Sequence, residues 1–197
     1  MEYGMVVKDQ VVEEMKLTSA LKSRKIYFWE DVNQETCFKL QYYLERIVKL
    51  DKENEIHPLS AEPITISISS YGGSLYDILS VISYVEQLIE SGYEIITIID
   101  GYAMSAGSAL AMTGTKRYAR RYSTLLFHQL SAGVGGTFAE MKNQMLEYEV
   151  KWELLKQIML KHTNMTSDFI NSIQNTNLDV YLTPQQALEM GVIDEIL

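Results

Sequence analysis

The amino-acid sequence predicts an α/β protein whose sheet is mainly parallel. Strand-like runs alternate with longer segments of helical period, the arrangement of βαβ units. One of those runs, residues 94–100 (EIITIID), is apolar enough to be covered on both faces, as central parallel strands are. No repeat, low-complexity tract or linker divides the 197 residues, a length that suits one domain with a sizeable core.

Residues 1–23 are mixed and weakly periodic, which suits an N-terminal extension or loop. Residues 26–29 are a short strand. Over residues 35–50, Leu40, Leu44 and Ile47 recur at helical spacing. Residues 51–63 are polar, with two prolines, and read as a loop. Ile64, Ile66 and Ile68 then alternate with Thr65 and Ser67 in a β-branched strand. Tyr71-Gly72-Gly73-Ser74 ends it, and Leu75, Ile78, Leu79, Ile82, Val85, Leu88 and Ile89 line one face of a helix that Ser91-Gly92 closes. After the strand at 94–100, Gly101 starts a turn, and 105–112 is a short helix of small residues. Residues 124–127 are a strand and 131–136 are glycine-rich. The longest helix spans 138–162, with Phe138, Met141, Met145, Tyr148, Trp152, Leu155 and Met159 along one side, a stripe long for packing within one domain. Thr183-Pro184-Gln185-Gln186 has the form of a capping box with proline at the first helical position, and Gly191 closes the last helix.

Composition narrows the function classes. The chain is 47% hydrophobic and 22% charged with a net charge of -9, which suits a soluble protein and argues against phosphate-backbone binding. The acidic N-terminus lacks a basic and then apolar leader, and no apolar run approaches a membrane span, so a cytoplasmic protein without membrane or nucleic-acid partners is expected. Cys37 is the one cysteine, so no intrachain disulfide forms. It sits beside Phe38 with no nucleophile motif and reads as a small core residue. Nothing in the sequence calls for a metal or cofactor.

Three segments can do chemistry. In Gly101-Tyr102-Ala103-Met104-Ser105-Ala106-Gly107, a buried-type strand turns into a helix. A serine there can meet free helix N–H groups that favour negative charge, the physical logic of a nucleophile elbow. That segment alone favours Ser105 or Ser108 as a helix cap. In Leu126-Phe127-His128-Gln129, a histidine follows an apolar strand and is either a satisfied structural residue or part of a site. His57 lies in a polar loop and His162 at the end of the long helix, where its partial charge suits the dipole. Finally, Gly72-Gly73 after a strand permits a close backbone approach and N–H groups aimed at a ligand, or simply a tight turn. The residues for a P-loop or a dinucleotide fold are absent.

Taken in order, two glycines after a strand, G-x-A-x-S-x-G, an apolar pair with His-Gln, a glycine-rich stretch and a long helix ending in His-Thr resemble the Clp protease proteolytic subunit. The resemblance runs from about Arg24 to Leu197 and includes Asp179 ahead of Tyr181 and Thr183, then Ala187, Gly191 and Asp194. It implies the crotonase-like α/β spiral and a peptidase domain over 24–197, with 1–23 as an N-terminal axial region. It implies that Ser105 is the nucleophile, His128 the general base and Asp179 the orienting acid, with the oxyanion hole made by the N–H groups of Gly73 and Ala106. The helix from Phe138 resembles the handle that interlocks two seven-membered rings into a barrel, and a AAA+ ATPase is the implied partner feeding protein substrates inward. Tyr71 and Leu130 stand where the family usually has proline, and Leu178 stands where it usually has the arginine that pairs across rings, with Asn175 where an acid is common. Residues 1–23 match poorly. These departures keep two alternatives open: a Clp-like protease without an unfoldase, as in capsid maturation, and a non-catalytic ring subunit.

Overall fold

The computed structural model describes residues 2–131, 133–176 and 179–197. Helix α1 (Glu2–Ser23) leads to strand β1 (Lys25–Phe28), helix α2 (Gln34–Glu53), β2 (Ile64–Ser70), α3 (Leu75–Glu90) and β3 (Ile95–Met104). The short helix α4 (Ala106–Ala111) follows, then β4 (Lys116–Ala119), β5 (Thr124–Phe127), the long α5 (Phe138–His162), α6 (Ser167–Thr176), β6 (Val180–Leu182), α7 (Pro184–Glu189) and β7 (Glu195–Ile196).

Strands β1, β2, β3, β4 and β7 are neighbours in that order, and every pairing among them is parallel. Strand β3 takes two partners along its length. Ile96 to Ile99 pair with β4, while Tyr102 to Met104 pair with β5. The β2–β3 register shifts between Ile68 and Ser70, just where β3 changes partner. That shift aims the end of β3 away from the main row of strands. Strand β6 then adds to β5 antiparallel.

One face of the sheet is covered because its alternate residues are isoleucines. Ile26, Ile64, Ile66, Ile68, Ile95 and Ile99 are buried against Leu40, Leu44 and Ile47 of α2 and Ile78, Val81 and Val85 of α3. Each such side chain contributes about 2 kcal/mol by leaving water. The helix starts are fixed locally: Asn33 with Thr36, Thr137 with Glu140, and Thr183 with Gln186 form reciprocal capping boxes. The last is the box expected from the sequence, with Pro184 at the first helical position.

The segment read as an extension or loop is a helix. Leu17 and Leu21 of α1 pack on the core and Ala20 is buried in it. Lys16, Lys39 and Tyr43 all bond the Glu13 carboxylate, tying α1 to α2. Residue 51, placed in a loop by its polarity, belongs to α2. Asp51 is buried and receives a two-pronged hydrogen bond from Arg24 at 2.7 and 3.0 Å. The strands β4, β6 and β7 and helix α6 are not expected from the sequence, because they are too short or too interrupted by charged and polar residues to show a period. In β4 the Arg117 side chain reaches Asp194, Gly191 O and His162 O, so the chain's end closes the sheet. Among the described residues no helix is long and apolar enough to cross a membrane. Leu178, singled out as a departure, lies outside the described residues.

Candidate active site

The bend of β3 delivers Ser105. Met104 pairs with Leu126 of β5, and the Ser105 N–H donates to Leu126 O at 2.9 Å. The backbone at Ser105 has φ 53° and ψ -121°, a conformation that costs a non-glycine residue on the order of 1–3 kcal/mol. Ser105 occupies the N-cap position of α4, yet its side chain makes no capping hydrogen bond. Ser108, three residues on, is buried and donates to both Ala103 O (2.6 Å) and Leu126 O (2.9 Å). Neither hydroxyl caps the helix: Ser108 holds the turn together, and Ser105 is left for other work.

Gly72 and Gly73 form the adjoining wall. Gly72 has φ 92°, and a Cβ there would come within 2.6 Å of Met104 O and 2.8 Å of Ser105 Cβ. Only glycine lets this backbone lie against the Ser105 turn. Gly73 bridges to Val32 in parallel: Val32 N–H donates to Gly72 O (2.7 Å) and Ser74 N–H to Val32 O (2.9 Å). In such a bridge the central residue's own N–H faces the other side. Among the described residues, neither Gly73 N–H nor Ala106 N–H has a hydrogen-bond acceptor, and both residues line one cavity of about 430 Å³.

Ser105 and His128 line that same cavity. His128 follows β5 directly, and β5 runs beside the end of β3 that carries Ser105. Asp179 precedes β6. The β5–β6 register pairs Phe127 with Val180, and its continuation by one step sets Asp179 across from His128. Cα atoms so opposed lie about 5 Å apart. Asp179 is exposed and does not line the cavity. Among the described residues no hydrogen bond joins the side chains of Ser105, His128 and Asp179.

The other histidines are occupied elsewhere. His57 Nδ1 accepts from Leu59 N–H, and His162 Nε2 lies 2.7 Å from Glu86. Burial, then the nearby Asp77 charge, push the Cys37 thiol up to about 11, so it stays protonated in the core. Among the described residues no group of three or more His, Cys, Asp or Glu is placed to hold a metal ion.

Sequence reasoning passed over part of the cavity wall. Tyr76 at the start of α3 and Lys151 on α5 both line it. The stripe read along α5 runs through Trp152 and does not include Lys151. Spacing alone could have found it, since Tyr148, Lys151, Leu155 and Met159 recur at three and four residues.

Comparison with known proteins places the chain in a family. The family model for Clp protease matches residues 8–197. An ATP-dependent Clp protease proteolytic subunit of Dehalococcoides mccartyi is 30% identical over 179 residues, covering 90% of this chain and 83% of the relative. Subunit 2 of Corynebacterium diphtheriae is 29% identical over 196 residues (98% and 89%). Subunit 2 of Thermobifida fusca is 29% identical over 193 residues (95% and 87%).

Proposed function

This chain belongs to the Clp protease family, and from that premise we propose that it is a serine endopeptidase whose nucleophile is Ser105. The observation that carries the reading is the Ser105 hydroxyl, uncapped on a strained turn and facing the same cavity as His128. His128 takes the Ser105 proton as the hydroxyl oxygen attacks the scissile carbonyl, then returns it to the leaving amine. Asp179 orients the imidazole and stabilises its charged form. The free N–H groups of Gly73 and Ala106 receive the oxyanion, each worth about 3 kcal/mol at the transition state. Water then hydrolyses the acyl-enzyme by the same proton route.

The peptidase works as a ring assembly, a barrel of two seven-membered rings. Its support is α5, whose first half carries Phe138, Met145, Leu146 and Val150 exposed, while its buried residues, Trp152, Leu155 and Met159, all lie in the second half. Apolar side chains left open along four turns of helix call for a neighbouring subunit. Assembly brings Asp179, His128 and Ser105 into hydrogen-bond contact. The relatives named above are ATP-dependent, which supports a AAA+ ATPase as the partner that delivers unfolded protein, with residues 1–23 on the axial side of the peptidase domain (24–197). The compartment is the cytoplasm.

Fluorophosphonate labelling of the assembled protein tests the reading. The adduct is expected on Ser105, and its absence under conditions that label a related Clp peptidase refutes the assignment. Protein degradation with and without an added Clp ATPase separates ATPase-fed proteolysis from an independent protease.

A further inference from the structure

The cavity beside Ser105 combines apolar walls, among them Leu75, Leu155 and Met159, with the cation of Lys151. Along the α5 face that lines it, Met159 is 1% and Leu155 7% exposed, whereas the Lys151 side chain keeps 18%. No carboxylate is among the described residues that line the cavity. The Lys151 ammonium is held in place: it lies 4.2 Å from the Tyr76 ring centroid and 5.0 Å from that of Tyr148. The entropy of ordering a long side chain is therefore largely spent before substrate arrives. Its ion-pair partner is Glu147, 2.8 Å away and one turn back on the same helix. Glu147 is 47% exposed and lies outside the cavity lining. The Glu147 end of the pair is open to solvent and screened, so a carboxylate entering from the cavity side can take its place on Lys151.

Resting on the reading of Ser105 as the peptidase nucleophile, we infer that Lys151 is a specificity-determining residue and that this pocket selects substrates with a glutamate side chain next to the scissile bond. The glutamate methylenes lie against Leu75 and Leu155, and the carboxylate replaces Glu147 on the Lys151 ammonium. Aspartate, one methylene shorter, fits the same charge less well. A pocket with only the apolar wall would instead prefer leucine or methionine.

The test compares two fluorogenic peptides that differ only in glutamate or leucine beside the cleaved bond, using the assembled full chain. The wild-type protein is expected to show the higher kcat/KM on the glutamate peptide. Lys151→Met is expected to lower that value about tenfold and raise the leucine value, reversing the order. Lys151→Arg keeps the preference, and Glu147→Gln increases it by removing the competing carboxylate. Fluorophosphonate labelling of Ser105 accompanies each protein. A labelled wild-type enzyme that prefers leucine overturns the inference and leaves the peptidase reading standing, as does a selectivity that neither Lys151→Met nor Glu147→Gln changes. A wild-type enzyme that is not labelled at Ser105 withdraws both.

Discussion

The two sides of the candidate site are held by different means. The Ser105 side is built from the core: the Gly72 backbone lies against it, Ser108 bonds two carbonyls beneath it, and Leu126 fixes its N–H. The Asp179 side is exposed and rests on a three-residue strand, β6, at the outer edge of β5. The first half of α5, which leads out of the glycine-rich stretch after His128, is equally open. A strained nucleophile turn needs rigid surroundings, because it persists only where neighbours over-determine it. Asp179, by contrast, is exposed and makes no hydrogen bond to His128 among the described residues. The difference teaches that the strained Ser105 turn is fixed by contacts within the single chain, whereas nothing within the described residues fixes Asp179 against His128.

Substitutions can break this contrast, and the largest effect is expected at Ser105. Replacement by alanine or glycine lowers peptide turnover on the order of 10⁴-fold or more. The two variants differ in stability, since glycine adopts φ 53° freely and alanine does not. Thermal melts should place Ser105→Gly about 1 kcal/mol above Ser105→Ala. Equal melting temperatures would mean the turn stores no strain. Next, Asp179→Asn is expected to reduce kcat roughly 10³-fold while leaving the melting temperature unchanged, as befits an exposed residue. A substantial loss of stability there would erase the distinction between the two sides.

Ser108→Ala sharpens the other side. It removes the one hydroxyl proton shared between Ala103 O and Leu126 O and should cost about 1–2 kcal/mol of stability, read by denaturant unfolding. The smallest effect belongs to α1. Burial raises the Glu13 carboxyl, but hydrogen bonds from Lys16, Lys39 and Tyr43 outweigh it and hold the group at about 2. A depressed carboxylate stabilises the folded state above its ordinary range and stops doing so as pH falls through that range toward 2. Hydrogen exchange should therefore show α1 loosening between pH 4.5 and 2, and Glu13→Gln should abolish that pH dependence.

Much of this was legible before any coordinates. The parallel α/β class followed from alternation, and helix 138–162 and strand 124–127 were bounded as the structure has them. These elements carry long apolar periods or strong caps, which are local signals. Helix α1 was missed because its apolar residues follow no clear helical period, and its place comes from Leu17, Ala20 and Leu21 resting on the core and from Glu13 meeting residues of α2. Strand β4 was missed because its Lys-Arg-Tyr-Ala pattern is read from β3 and Asp194, both distant in sequence.

The sequence by itself determined the layers of the fold, the family, and which serine, histidine and acid to consider, because residue order and apolar period are local properties of the chain. Only the tertiary structure decided between cap and free hydroxyl at Ser105, since that depends on where Ser108 and Leu126 lie. It alone set Asp179 on the register of His128 and turned Lys151 inward to the cavity. Those facts arise from strand pairing and helix packing between segments far apart in the chain, which no local pattern encodes.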